Sequence, residues 1–309
     1  MQSQTFTSHR RLFGRIWPMP SFVDETARPR RGENNRFKAL AGETATLGRL
    51  GTLEVRLASS AADIRRAQRL RYRVFFEEGE ASATIGARIL QRDSDAFDAI
   101  CDHLLVVDHA HRTPLGPSVV GTYRLLRQDV ADAHDGFYTA NEFDVGALVS
   151  RHRHLKFLEL GRSCVLLPYR NKRTVELLWH GIWAYVVRNK FDVLLGCASL
   201  DGIDPYALSL PLSFLHHFAQ APEIWRAQAK PERRIDMNRM SRASIDQRAA
   251  LRTLPPLVKG YLRLGAFVGD GAVIDYQFGT TDVLIVLPVS AINARYIEHF
   301  GVEADRHAA

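Results

Sequence analysis

The sequence predicts a mixed α/β protein, a central sheet flanked by helices, and three observations carry that expectation. Short apolar, β-branched or alternating runs recur at residues 103–108 (HLLVVD), 119–126 (VVGTYRLL), 157–167 (FLELGRSCVLL), 193–198 (VLLGCA) and 283–287 (VLIVL). Runs with helical spacing lie between them, so helix and strand signals alternate without an internal repeat or a low-complexity block. With 46% hydrophobic and 24% charged residues over 309 positions, the chain can bury a sizeable core.

Taken in order, residues 1–50 are rich in Arg, Gly, Pro and Thr, show no periodicity and read as a disordered basic N-terminal tail. They hold nine Lys/Arg against four Asp/Glu, most of the formal net charge of +7. The basic excess thus sits in a tail, not on a nucleic-acid-binding face. It reads as a solvated leader or as a contact for anionic headgroups, since Arg10, Arg11 and Arg15 lie beside Leu12, Phe13, Ile16 and Trp17. Residues 51–300 read as one domain with a C-terminal extension, followed by a short tail at 301–309. Order is expected from Leu53, with the alternating segment 53–58. A helix opened by Ser60 and Asp63 follows, its apolar positions Ile64, Ala67, Leu70, Val74 and Phe75. A second helix is expected over 174–188, striped by Leu177, Leu178, Ile182, Tyr185 and Val186, and residues 206–230 read as helical in part. Residues 254–289 carry one firm strand signal, 283–287, which ends at Pro288.

No apolar run reaches the roughly 18 residues of a spanning helix, and the N-terminus has no continuous apolar core of the secretory kind. Membrane contact is therefore expected to be peripheral, at the inner face of the cytoplasmic membrane. Cys101, Cys164 and Cys197 are widely separated and lack metal-ligand or C-x-x-C spacing, so reduced thiols in a cytoplasmic protein are expected, with no metal and no bound cofactor.

Three polar clusters sit on or beside apolar elements. In 70–81 (LRYRVFFEEGEA), Arg71 and Phe75 are one helical turn apart, although the arginines there also suit a wet helix face. In 93–102, Asp93, Asp95, Asp98 and Asp102 precede a strand. Clustered carboxylates suit an ammonium or a metal, or form a solvated loop; the calcium-loop spacing is absent and a magnesium site stays open. In 158–165 (LELGRSCV), Glu159 and Arg162 stand inside a strand-like run, where charge is costly unless paired or facing a cleft. Gly161 between them points to a bulge or a close backbone approach. The basic turn that follows, Arg170, Lys172, Arg173 and Thr174, opens a helix and would suit a phosphate or pyrophosphate.

Strand, basic turn and helix in this order resemble the pantetheine-binding core of the GCN5-related acyltransferases. Acyl-homoserine-lactone synthases are similar through Arg71 with Phe75, the run Asp93, Asp95, Phe97 and Asp98, Arg124 in GTYRLL, and Glu159 with Arg162. The first acidic position is Asp93 where those enzymes commonly carry Glu. A closer resemblance is to the ornithine N-alpha-acyltransferases of ornithine-lipid synthesis, through LRYRVFFEE, DAFDAICDHLLV, VGTYRLL, LELGRSCV, YRNKRTVELLWHGI, LLGCASLDG and LPPLVKGYLRLGAFVGDGA, from about residue 53 to about 300.

That resemblance implies a GCN5-related fold and transfer of a 3-hydroxyacyl chain from acyl carrier protein to the α-amine of L-ornithine, giving lyso-ornithine lipid. The phosphopantetheine would be a substrate group and not a resident cofactor. Alternatives are a sibling enzyme acting on lysine, glycine or glutamine, a lactone-forming synthase, or a non-catalytic binding protein on the same fold. Glu159, paired with Arg162, is expected to act either as base or as anchor for the substrate ammonium. Asp93, Asp95 and Asp98 would bind the cationic substrate together with Arg71, Phe75 and Arg124, or form a structural ion-pair lattice with the two arginines. The oxyanion would meet a backbone N–H near 161–164. Arg170, Lys172, Arg173 and Thr174 would meet the donor's phosphate or its acidic carrier. Cys164 and Cys197 are expected to be buried, inert thiols, and His180 a packing residue.

Overall fold

The computed structural model describes residues 46–114 and 116–292, so the readings of residues 1–45 and 301–309 fall outside the described residues. The expected mixed sheet is present. Nine strands form one sheet: β1 (Thr46–Leu50), β2 (Leu53–Leu57), β3 (Asp102–Thr113), β4 (Gly116–Arg127), β5 (Phe157–Val165), β6 (Val193–Asp201), β7 (Arg234–Ile235), β8 (Phe267–Asp275) and β9 (Thr280–Pro288). Their spatial order is β1-β2-β3-β4-β5-β6-β9-β8-β7. Every pairing is antiparallel except β5 with β6, which is parallel.

Burial on both faces explains why the central strands read as near-continuous apolar runs. In β6, Leu194 packs into one core, while Val193 and Leu195 point into the other with Phe143, Leu148, Phe157 and Val286. Helix α1 (Ala61–Tyr72) and helix α2 (Lys172–Asn189) cover the first face, α2 through the predicted Leu177, Leu178, Ile182, Tyr185 and Val186. Helices α3 (Ser209–Phe218), α4 (Gln247–Thr253) and α5 (Pro256–Leu264) continue that layer. Ser60 caps α1 as expected, its hydroxyl accepting the Asp63 N–H at 3.2 Å. Helix α2 starts two residues before the expected 174 because Asn171 caps it, accepting the Thr174 N–H at 3.1 Å.

Two strands differ from the sequence reading. β1 lies within the residues read as tail; it is short, and it is docked by the His180 ring, whose Nε2 lies 3.1 Å from the Leu47 carbonyl. β8 gave no clean alternation because its register with β9 shifts between Val268 and Ala272, around Gly269 and Gly271. Among the described residues no helix is long and apolar enough to cross a membrane.

Candidate active site

β5 and β6 pair from Phe157 opposite Val193 to Glu159 opposite Leu195, and the pairing stops there. One residue past the last pair the backbones still approach closely: a Cβ on Gly196 would fall 2.2 Å from the Leu160 carbonyl oxygen. On its other side, β5 slips by one residue against β4 between Thr122 and Arg124. Arg162 occupies this bulge with φ 49°, a left-handed conformation that costs on the order of 1–2 kcal/mol outside glycine. The close approach expected of Gly161 therefore belongs to Gly196, and the unusual backbone to Arg162. Residues three apart on a regular strand face opposite ways. The bulge undoes that alternation and turns Glu159 and Arg162 toward one cavity.

The cavity has a volume of about 340 Å³. β4 and β5 bring Arg124, Glu159 and Arg162 to it, and β6 and β9 bring Cys197, Ser199 and Asp282. Phe75 and Phe278 also line it, their rings packed edge to face at 5.4 Å. Of the predicted site residues, the catalytic candidates Glu159 and Arg162 and the substrate-binding candidates Phe75 and Arg124 thus line one space.

Arg71, Asp93 and Asp98 are instead buried behind it. Arg71 donates through Nε to Asp93 Oδ2 and through Nη2 to Asp98 Oδ2, both at 2.7 Å. Arg124 donates to Asp95 Oδ1 at 2.6 Å, and Arg162 Nη2 lies 3.3 Å from Asp95 Oδ2. Three guanidiniums and three carboxylates form the lattice that the structural alternative anticipated, tying α1 to the central strands. Burial alone would raise the Asp98 carboxyl, but Arg71, by charge and hydrogen bond, and then Arg124 hold it well below the ordinary carboxylate range. Burial drives the neighbouring His103 imidazole down to about 4, which leaves it neutral at pH 7.

Glu159 is buried and its two oxygens are both engaged. One accepts the Thr139 N–H at 2.6 Å, the other the Tyr138 N–H at 2.9 Å. Burial nevertheless pushes its carboxyl up, against those hydrogen bonds and the Arg124 charge. Tyr138 packs on Phe97 with ring centroids 5.2 Å apart and receives Arg124 and Arg162 over its face at 5.3 and 5.0 Å.

The basic turn divides. Arg170 reaches Glu78 at 2.8 Å, Lys172 is 85% exposed beside Glu176, and Arg173 is exposed. Thr174 is fully buried, its N–H directed to the Asn171 cap, so its side chain is not exposed to meet a donor as expected. Among the described residues the three cysteines are free thiols; burial pushes Cys101 and Cys164 up to about 12, and Cys197 rises well above its ordinary value. Tyr138, Thr139, Glu142 and Asp282 were missed from the sequence. Only Asp282 carried a signal, a lone acid opening the apolar run 283–287, which is the same anomaly that marks Glu159.

Comparisons with known proteins find relatives in sequence and in structure. A family model described as an acetyltransferase (GNAT) domain matches residues 70–180. An L-ornithine N(alpha)-acyltransferase of Agrobacterium fabrum is 52% identical over 279 residues, covering 89% of this chain and 95% of that protein. One of Brucella abortus is 55% identical over 266 residues, covering 86% and 94%. Among solved structures, an N-acyl amino acid synthase from uncultured soil microbes superposes with a TM-score of 0.44 at 10% identity, over 77% of this chain and 92% of that one.

Proposed function

Because the chain belongs to the L-ornithine N(alpha)-acyltransferase family, an acyltransferase family with the GNAT fold, we propose that it transfers a 3-hydroxyacyl chain from acyl carrier protein to the α-amine of L-ornithine, giving a lyso-ornithine lipid. The observation that carries this reading is the cavity at the fork of β5 and β6, with the buried Glu159 beside the point where the strands part. A parted parallel pair leaves room for an extended pantetheine arm, and unpaired backbone N–H groups there can meet the oxyanion of an attacked thioester. The family name of the relatives supports ornithine as the acceptor.

The reaction joins the α-nitrogen to the acyl carbon and breaks the carbon–sulfur bond. An α-amine with pKa roughly 8 to 10 is mostly protonated at pH 7 and must first lose a proton. The ammonium loses two protons in all; one ends on the departing thiol and one in solvent. Glu159, its carboxyl raised by burial, is the base in this reading; of the roughly four acceptor positions of a carboxylate, the Tyr138 N–H, the Thr139 N–H and the Thr139 hydroxyl occupy three. Arg162 and Arg124, fixed by the lattice, line the same cavity. Arg170, Lys172 and Arg173 meet the acidic carrier protein or the pantetheine phosphate. A basic segment at residues 1–45 would hold the enzyme against anionic lipid, where its product belongs.

The test is product mass spectrometry with purified protein, L-ornithine, and a 3-hydroxyacyl group on either acyl carrier protein or CoA. Nα-acylornithine formed faster from the carrier protein is expected. Absence of any acylated amine from both donors would refute the reading.

A further inference from the structure

Away from Glu159, the cavity ends in carboxylates that the acyl-transfer chemistry does not use. Strand alternation puts Cys197 and Ser199 of β6 on one face of the sheet, with Asp282 of β9 opposite Ser199. Asp282 lines the cavity at 7% exposure, and among the described residues no cation lies within ion-pair distance of it. It accepts the Thr280 hydroxyl at 3.0 Å. Behind it stands Glu142, 6% exposed, whose Oε2 accepts from the Cys197 thiol at 3.3 Å and whose Oε1 lies 3.3 Å from Arg233, itself 37% exposed. The polar atoms of Glu142, Cys197 and Asp282 lie within 4.8 Å of one another. Of the two buried carboxylates only Glu142 has an ion-pair partner, the half-exposed Arg233; Asp282 feels the Arg162 charge from beyond ion-pair distance and lines the cavity that Arg162 also lines. Burying charge this way is costly unless something positive arrives.

We propose that Asp282 and Glu142 receive the side-chain ammonium of the amino-acid acceptor, so that this end of the cavity selects a diamino acid of ornithine's length. The inference rests on the amine-acylating reading of the cavity. The spacing agrees with it. Glu159 is level with Leu195 on the adjacent strand, and Cys197 is two residues further along β6, so their backbones lie about 8 Å apart, about 6.6 Å along the strands and about 4.8 Å across. The two nitrogens of an extended ornithine are about 6 Å apart, and lysine adds about 1.3 Å. An α-amine hydrogen-bonded to Glu159 therefore leaves the side-chain nitrogen, one further hydrogen bond away, within reach of the acid pair. A metal at the same three residues is the rival occupant. The hydroxyls of Ser199 and Thr280 around Asp282 suit an ammonium, and the zinc measurement below separates the two occupants.

The test is kcat/KM of the full-length protein, with 3-hydroxyacyl carrier protein as donor, for L-ornithine, L-lysine, L-2,4-diaminobutyrate and L-norvaline, the last being ornithine without its side-chain amine. Wild type should prefer ornithine to norvaline by at least about 100-fold, because a buried site built for a polar group rejects the analogue that lacks it. Asp282→Asn and Glu142→Gln should each cut that ratio at least about tenfold. Norvaline used as well as ornithine by the wild type, which needs no variant to fold, overturns the proposal. So does an unchanged ratio in both variants. Stoichiometric zinc in the isolated protein, with activity lost on chelation, overturns it in favour of a metal. A wild type that acylates no amine at all removes the acylation reading, and this inference with it.

Discussion

Glu159 accepts the Thr139 backbone N–H at 2.6 Å and so does two things at once: it faces the cavity and it pins the turn that carries Tyr138. Glutamine is then no neutral replacement. Its amide can accept one of the two N–H groups but turns an NH2 toward the other, leaving buried donors face to face at about 1–3 kcal/mol. Glu159→Gln should lower Tm by several degrees and cut turnover at pH 7 by at least about 100-fold. If Glu159 is the base, part of the turnover returns at high pH, where the acceptor amine is already deprotonated. Thermal unfolding and a pH–rate profile separate the two roles; near-wild-type turnover at pH 7 would take Glu159 out of the chemistry.

The Arg71 lattice makes a prediction about stability. Arg71→Met leaves Asp93 and Asp98 buried without their main cation. Removing one partner of a buried pair typically costs about 3–5 kcal/mol, which urea unfolding would register. Asp98 adds a pH signature. Its carboxyl is held low in the fold, so its contribution is present above the ordinary carboxylate pKa and is lost as pH falls through the lower folded value. Asp98→Asn should flatten the acid limb of the stability curve, and an unaltered limb would show that other carboxylates set it.

Much of this was legible in the sequence, for physical reasons. Central strands buried on both faces announce themselves as apolar runs, and α2 shows its stripe because only one face is buried. Glu159 and Arg162 were singled out because charge inside an apolar strand is costly and so signals a site, and Arg124 through the family resemblance of GTYRLL. Gly161 signalled the bulge, but the left-handed backbone at Arg162 was not legible, because nothing local forces a non-glycine residue into that conformation; the lattice and two aromatic rings hold it there. Whether the Asp93–Asp98 cluster meets substrate or arginine could not be read either, since both partners lie far off in the chain. Tyr138 and Glu142 come from an irregular turn whose sequence has no period to read.

Glu142 offers a second pH test, of opposite sign. Burial, followed by the Asp282 charge, raises its carboxyl from an ordinary 4.5 to about 7. A raised folded pKa means stability that is complete below the ordinary value and is lost as pH rises through the folded one. Unfolding free energy of the protein without substrate should therefore drop between about pH 4.5 and 7, by on the order of 3 kcal/mol from this group. Glu142→Gln should remove that slope. A variant with the wild-type slope across the window would assign it to another group.

The N-terminal boundary decides how the membrane role can be tested. β1 begins at Thr46 and pairs with β2, and the His180 ring from α2 sits against it at the Leu47 carbonyl. Gly48 is the point of closest packing, since a Cβ there would fall 2.4 Å from the His180 ring. Deleting residues 1–50 would strip this strand and expose Val55, which is fully buried, whereas deleting residues 1–45 spares it. The shorter deletion still removes Arg10, Arg11 and Arg15 with Leu12, Phe13, Ile16 and Trp17, a basic stretch with apolar anchors. Each basic residue near an anionic surface contributes about 1 kcal/mol. The 1–45 deletion should keep wild-type Tm and turnover on soluble substrates while losing most binding to phosphatidylglycerol vesicles, more so at low salt, where the wild type binds best. The 1–50 deletion should also lose stability. Vesicle sedimentation and thermal unfolding read both outcomes; equal vesicle binding by the full-length chain and the 1–45 deletion would end the case for a membrane-seeking N-terminus.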